Sequence, residues 1–96
     1  MNTLTENTTS QEIEHAIRDF IAAKLLYSNE GFSYPDDASL LREGIIDSLG
    51  VVELVEFLQK HFQLQIQQDE VRPDNFDSVA KLAAYVRRKQ AVPQRP

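Results

Sequence analysis

A chain of 96 residues, 42% of them hydrophobic and 26% charged, has material for one small domain with a core of its own and no room for a deep active site. It contains no apolar run of the roughly 18 residues a membrane span needs, and with no cysteine it has neither disulfides nor thiolate metal sites, so any thiol chemistry must be imported on a prosthetic group. The net charge of -5 disfavours nucleic acid and favours basic protein surfaces as partners.

Met1 to Thr8 is polar, lacks the basic start and apolar centre of an export signal, and reads as a disordered tail on a cytoplasmic protein. Thr9-Ser10-Gln11-Glu12 fits a capping box, and Ile13, Ala16, Ile17, Phe20, Ala23 and Tyr27 continue as a helical stripe, which predicts a first helix over about 10 to 26. Asn29-Glu30-Gly31 is expected to stop it. Phe32 to Glu43, with Pro35 and the Asp36-Asp37 pair, reads as a long irregular connection fastened over the core by Phe32, Tyr34, Leu40, Leu41, Ile45 and Ile46. Asp36-Asp37 lacks the ligand spacing of a calcium loop and reads as a turn.

Gly44-Ile45-Ile46-Asp47-Ser48-Leu49-Gly50 then sets a hydroxyl where a polar loop becomes an amphipathic helix. Val51, Leu54, Val55, Leu58 and Phe62 form one apolar face, so a second helix is predicted from about Ser48 to Phe62 with Asp47 as its N-cap. Leu49, Val52, Glu53, Glu56 and Lys60 occupy the opposite face, either an ordinary solvated surface or a docking surface. Ser48 stands at the rim of the helix N-terminus, where a phosphate attached to it would meet free N-H groups.

Gln63 to Gln67 alternates like a strand but has nothing to pair with, and reads as a connector burying Leu64 and Ile66. Asp69 to Asn75 is expected to form a short helical turn that delivers Phe76 to the core. Asp77 or Ser78 then caps a last helix carrying Val79, Leu82, Ala83 and Val86 inward and ending near Gln90. Residues 91 to 96 are expected to be a second disordered tail, leaving 9 to 90 as the folded domain. The fold class is all-α, a four-helix bundle with three longer helices, one short helix and a long loop between the first two.

Between Ser28 and Leu58 the acids Glu30, Asp36, Asp37, Glu43, Asp47, Glu53 and Glu56 face Arg42 alone, so the Ser48 end is negative. The Arg87-Arg88-Lys89 run is read as dipole partners of the last helical turn in preference to a nucleic-acid patch. Ile46-Asp47-Ser48-Leu49-Gly50 half-matches the hydrolase elbow, but its first glycine is missing and there is no sheet to stand on. His61 lies roughly 20 Å along the helix from Ser48. Like His15, it reads as a surface residue, so no catalytic residues or metal site are assigned and the chain is not expected to be an enzyme.

The spelling Asp47-Ser48-Leu49 followed by Val51-Val52-Glu53-Leu54-Val55-Glu56-Phe57-Leu58 resembles the acyl carrier protein family over about Leu40 to Val86. The resemblance implies a 4'-phosphopantetheine arm on Ser48 and no catalysis by the chain itself. It further implies that Asp47 helps hold the magnesium used by the phosphopantetheinyl transferase, that Leu49 guides that enzyme's grip, and that helix two, through Leu49, Val52, Glu53 and Glu56, docks partners. Gly44 and the lack of an acid at Gly50 look more like stand-alone carriers of lipid or secondary-metabolite pathways, charged by a separate adenylating acyl or aminoacyl ligase, than like the carriers of primary fatty acid synthesis. Acyltransferases or synthases are the expected downstream partners, and a monomer is the expected state. The alternative class is a non-catalytic helical adaptor that binds through helix two, with Ser48 only a cap.

Overall fold

A computed structural model describes residues 9 to 91, so the expected tails lie outside it apart from Ala91. Helix α1 (Ser10–Phe20) starts at the predicted capping box: the Glu12 amide donates to Thr9 Oγ1 at 3.1 Å and the Thr9 amide to Glu12 Oε1 at 3.0 Å. It buries Ile13 and Ile17, then widens into a π-helical stretch, Ile21–Leu25, that buries Ile21 and Ala22. A wider turn shifts the phase of every later side chain. The predicted stripe therefore fails at its end, where Ala23 is exposed and Tyr27 is 84% exposed. The helical run ends at Leu25, in line with the predicted bound of about 26, but the stop is not Asn29-Glu30-Gly31: Tyr27 itself turns left-handed at φ 54 and the Ser28 amide closes onto the Ala22 carbonyl at 2.8 Å.

The connection to the next helix is sewn down at both ends. Arg18 Nη1 donates to both oxygens of Asp36 at 2.8 and 2.7 Å, which ties the predicted turn to α1. The Leu40 amide donates to the Asp77 carbonyl at 2.8 Å, and Ser39 Oγ donates to Asp77 Oδ2 at 2.7 Å. Leu40, Ile45 and Ile46 are buried and Phe32 is half-buried, as expected of fasteners, whereas Tyr34 and Leu41 are 43% and 45% exposed. Those two follow irregular backbone, whose turns impose no periodicity from which an inward face could be read.

Helix α2 (Ser48–Phe62) has the predicted bounds and ends at Gln63, which adopts the left-handed conformation. Leu54 and Leu58 are fully buried, and Val51, Val55 and Phe62 flank them half-buried. The connector then buries Leu64 and half-buries Ile66. The single turn expected over Asp69 to Asn75 is two pieces, a 3-10 turn at Gln68–Glu70 and a four-residue helix α3 (Pro73–Phe76). Pro73 separates them, because its ring holds Arg72 extended, at φ -137 and ψ 157, and it can only begin a helix. Phe76 is buried as predicted.

Of the two candidates, Ser78 caps the last helix, α4 (Val79–Gln90), accepting from the Lys81 amide at 3.0 Å. Asp77 is occupied with Ser39 and the Leu41 amide. α4 packs against α1 and α3, and Val79, Leu82, Ala83, Tyr85 and Val86 complete one core with Ile13, Ile17, Leu54 and Leu58. The described residues thus form an all-α domain of three longer helices and one short one, with no strand among them. None of these helices is long and apolar enough to cross a membrane. Arg87, Arg88 and Lys89 occupy the last turn and bond to Ser10, Asn75 and Glu70 respectively, in keeping with their reading as a helix end rather than a free basic patch.

Beneath α4, Glu70 accepts from the Tyr85 hydroxyl at 3.0 Å, from Lys89 Nζ at 3.1 Å and from the Gln67 amide at 2.9 Å. Burial alone raises its pKa, but the bonds from Gln67, Lys89 and Tyr85 together outweigh it and hold the carboxyl below its ordinary value. A depressed carboxyl contributes stability above its unfolded pKa and loses it as pH falls through the folded one. Glu70→Gln is therefore expected to lower the melting temperature at neutral pH and to converge with the wild type below about pH 4, near the ordinary carboxyl range. A melting-temperature deficit that stayed constant down to acid pH would show that the Glu70 charge is not what matters. Burial and the neighbouring Glu70 push the Tyr85 hydroxyl upward, so this corner loses stability again as pH rises past the ordinary tyrosine range.

Candidate functional site

The site is built from the loop inward. Gly44 turns at φ 71, a conformation that a side chain would strain, and the Leu40 carbonyl gathers the amides of Ile45 at 2.8 Å and Ile46 at 3.1 Å. Two buried isoleucines thus clamp the chain immediately before the helix. Asp47 follows as N-cap, extended at φ -109 and ψ -175, with Oδ1 accepting from the Gly50 amide at 2.9 Å. Ser48 is the first helical residue. It is exposed, held between buried Ile46 and buried Gly50, and none of the described hydrogen bonds engages its hydroxyl.

Gly50 has a packing reason that the sequence reading did not reach. A methyl group at this position would stand 3.1 Å from Ile46 Cβ and 3.5 Å from Leu25 Cδ1, so the absence of a side chain lets the first turn of α2 lie against the loop and the π-helical end of α1. Beside this contact opens a cavity of about 540 Å³. Leu25, Ile45, Ile46 and Gly50 line it together with the exposed Tyr27, Leu41 and Leu49. It borders Ser48 on both sides, through Asp47 and Leu49.

Along α2 the predicted outer face is found intact. Leu49 and Val52 are 66% and 53% exposed, and Glu53, Glu56 and Lys60 are exposed with them. Asp47, Ser48, Leu49, Val52, Glu53 and Glu56 thus lie on one exposed end and flank of a single helix. The sequence reading missed Phe57, which stacks on Phe20 at 4.3 Å between ring centroids and on His61 at 5.0 Å. The signal was its spacing of four residues from His61 on the helix. His61 is exposed as expected, at the far end of α2 from Ser48, and His15 is exposed and paired with Asp19 at 3.1 Å. The described residues contain no cluster of side chains able to hold a metal ion.

An exposed hydroxyl on the first turn of a capped helix, with free amides beside it and no wall around it, fits a phosphodiester-linked group that must swing between partners. The family model described as "Phosphopantetheine attachment site" matches residues 15–86, and the chain belongs to that family. It is 29% identical over 82 residues to the protein named "Probable acyl carrier protein PigG" from Serratia sp. (strain ATCC 39006), a match covering 85% of this chain and 93% of the relative. The group such a domain holds is 4'-phosphopantetheine, covalently attached through a serine, and its partners are a phosphopantetheinyl transferase and synthase or ligase enzymes. Carriers of this family are in general not catalysts themselves.

Proposed function

We propose that the chain is an acyl carrier protein whose arm is attached to Ser48. The observation that carries the reading is the position of Ser48 as the exposed first residue of α2, capped by Asp47, within the segment matched by the family. In attachment, Ser48 Oγ bonds to the pantetheine-side phosphorus of coenzyme A, the pyrophosphate P-O bond breaks, adenosine 3',5'-bisphosphate leaves and the hydroxyl proton is released. Asp47 Oδ1 is committed to the cap, so Oδ2 would be the oxygen of this residue available to help hold the magnesium ion used in that transfer. Once bound, the arm supplies the thiol that this cysteine-free chain lacks, and the cargo is held there as a thioester. Incubation with coenzyme A and a phosphopantetheinyl transferase, read by intact mass, tests the reading: one added arm supports it and an unchanged mass contradicts it.

Loading is assigned to a separate adenylating ligase that uses ATP and a free acid, with α2 as the docking face. Leu49 and Val52 supply apolar contact, and Glu53 and Glu56 attract a basic partner. Added salt shortens the reach of such charges, so the loading rate of the wild type is expected to fall with ionic strength. The Glu53→Lys, Glu56→Lys double variant should load slowly and lose that salt dependence. Equal rates for both proteins at low and high salt would remove α2 electrostatics from the mechanism, and efficient malonyl loading by a transferase of fatty acid synthesis would place the chain in primary metabolism instead.

A further inference from the structure

Tyr27, Tyr34, Leu41, Leu49 and Val52 are the large apolar side chains exposed among the described residues. Single exposed aliphatics are ordinary, but three of these converge on one hollow: Tyr27 from the end of α1, Leu41 from the loop and Leu49 from the first turn of α2 all line the cavity beside Ser48. Tyr27 is the most exposed of them, at 84%, and its backbone sits at φ 54, where glycine or asparagine would be at ease. Its ring adds almost nothing to the core, so packing does not account for a tyrosine in that conformation. The charged residues that line the cavity are Asp47 and Glu53 against Lys24, which leaves the surround negative.

We infer that this hollow is a docking point for the phosphopantetheinyl transferase, receiving an apolar side chain from a basic surface of that enzyme, with Tyr27, Leu41 and Leu49 closing around it. The inference rests on the reading of Ser48 as the attachment residue. Reach selects this partner: an enzyme that acts on Ser48 Oγ must bring its reacting phosphate to bonding distance and so must cover the residues flanking the serine, whereas an enzyme that works at the far end of the arm need not. The two carboxylates fix the sign of the surface that approaches. The contact area thereby extends beyond α2 to the loop and to the left-handed end of α1.

The test separates docking from chemistry by working on the Ser48→Ala chain, which the transferase and coenzyme A can bind but not modify. Calorimetric titration of that chain with the coenzyme-loaded transferase is expected to show Kd raised about tenfold by Tyr27→Gly and by Leu41→Ser, the order of effect of one interface anchor, and nearly unchanged by Tyr27→Phe. Tyr27→Gly suits the backbone, so its melting temperature should not fall, which excludes misfolding as the cause of weaker binding. With Ser48 restored, the same substitutions should raise KM for arm transfer and leave kcat in place. Parental Kd in both Tyr27→Gly and Leu41→Ser would overturn the inference while leaving the attachment residue untouched. Failure of the attachment reading would look different, as modification of the Ser48→Ala chain itself.

Discussion

Ser48→Ala is expected to abolish the mass increase on incubation with coenzyme A and transferase, while the melting temperature stays close to that of the wild type. The loss is complete because the hydroxyl oxygen is the atom that bonds to phosphorus. The fold survives because the residue is exposed, its hydroxyl joins no described hydrogen bond, and alanine is a better helix former than serine. Substitutions at such positions shift stability by about 0.5 kcal/mol or less. The other described serines are poor substitutes. Ser78 is buried and caps α4, Ser39 donates to Asp77, Ser28 donates to the Gly31 carbonyl, and Ser10 accepts from Arg87. Ser33 lies in the irregular connection, away from any helix start.

Leu54→Ala should be the most damaging single change among those considered for α2. Leu54 is fully buried in the core, so its truncation removes apolar contacts and leaves a cavity that the surrounding helices can fill only in part. The expected cost is about 2 to 5 kcal/mol, against a total stability of roughly 5 to 15 kcal/mol for a domain of this kind. Glu56→Ala, on the exposed face two residues further on, should cost about 0.5 kcal/mol or less. Urea melts of the two variants compare them directly, and a reversed order would mean that α2 presents the opposite face to the core.

The regular parts of the molecule were legible because their signals are local. A capping box at Thr9, an N-cap at Asp47 and the apolar spacing of Leu54 and Leu58 each depend on residues within a few turns of one another, and all three stand as predicted. The first helical run ends at Leu25, close to the predicted residue 26, but the phase of its last turns was not legible, because a π-helical stretch breaks the 3.6-residue count without any glycine or proline to mark it. The orientation of Tyr27 was lost with that phase, and so was the hollow it lines. Leu41 and Tyr34 eluded the reading for another reason, since irregular backbone has no face to extrapolate.

Gly44 and Gly50, on which the likeness to ligase-charged carriers rests, carry less weight toward a pathway than their pattern suggests. Gly44 is needed for a left-handed turn, and Gly50 for the close approach of α2 to Ile46 and Leu25. Both therefore have local physical reasons that any cargo would leave unchanged. The proposed docking face lies instead in the exposed residues around Ser48, where Leu49, Val52, Glu53 and Glu56 share one flank of α2 and Tyr27 and Leu41 adjoin it.

Localisation of the arm by tandem mass spectrometry decides whether Ser48 is the attachment residue. The wild-type chain, treated with coenzyme A and a phosphopantetheinyl transferase, would be digested and the fragment ions of the peptide spanning Gly44 to Gly50 sequenced. A single added phosphopantetheine is expected, carried by fragments that contain Ser48 and absent from those that end at Asp47. An arm found on any other residue would contradict it.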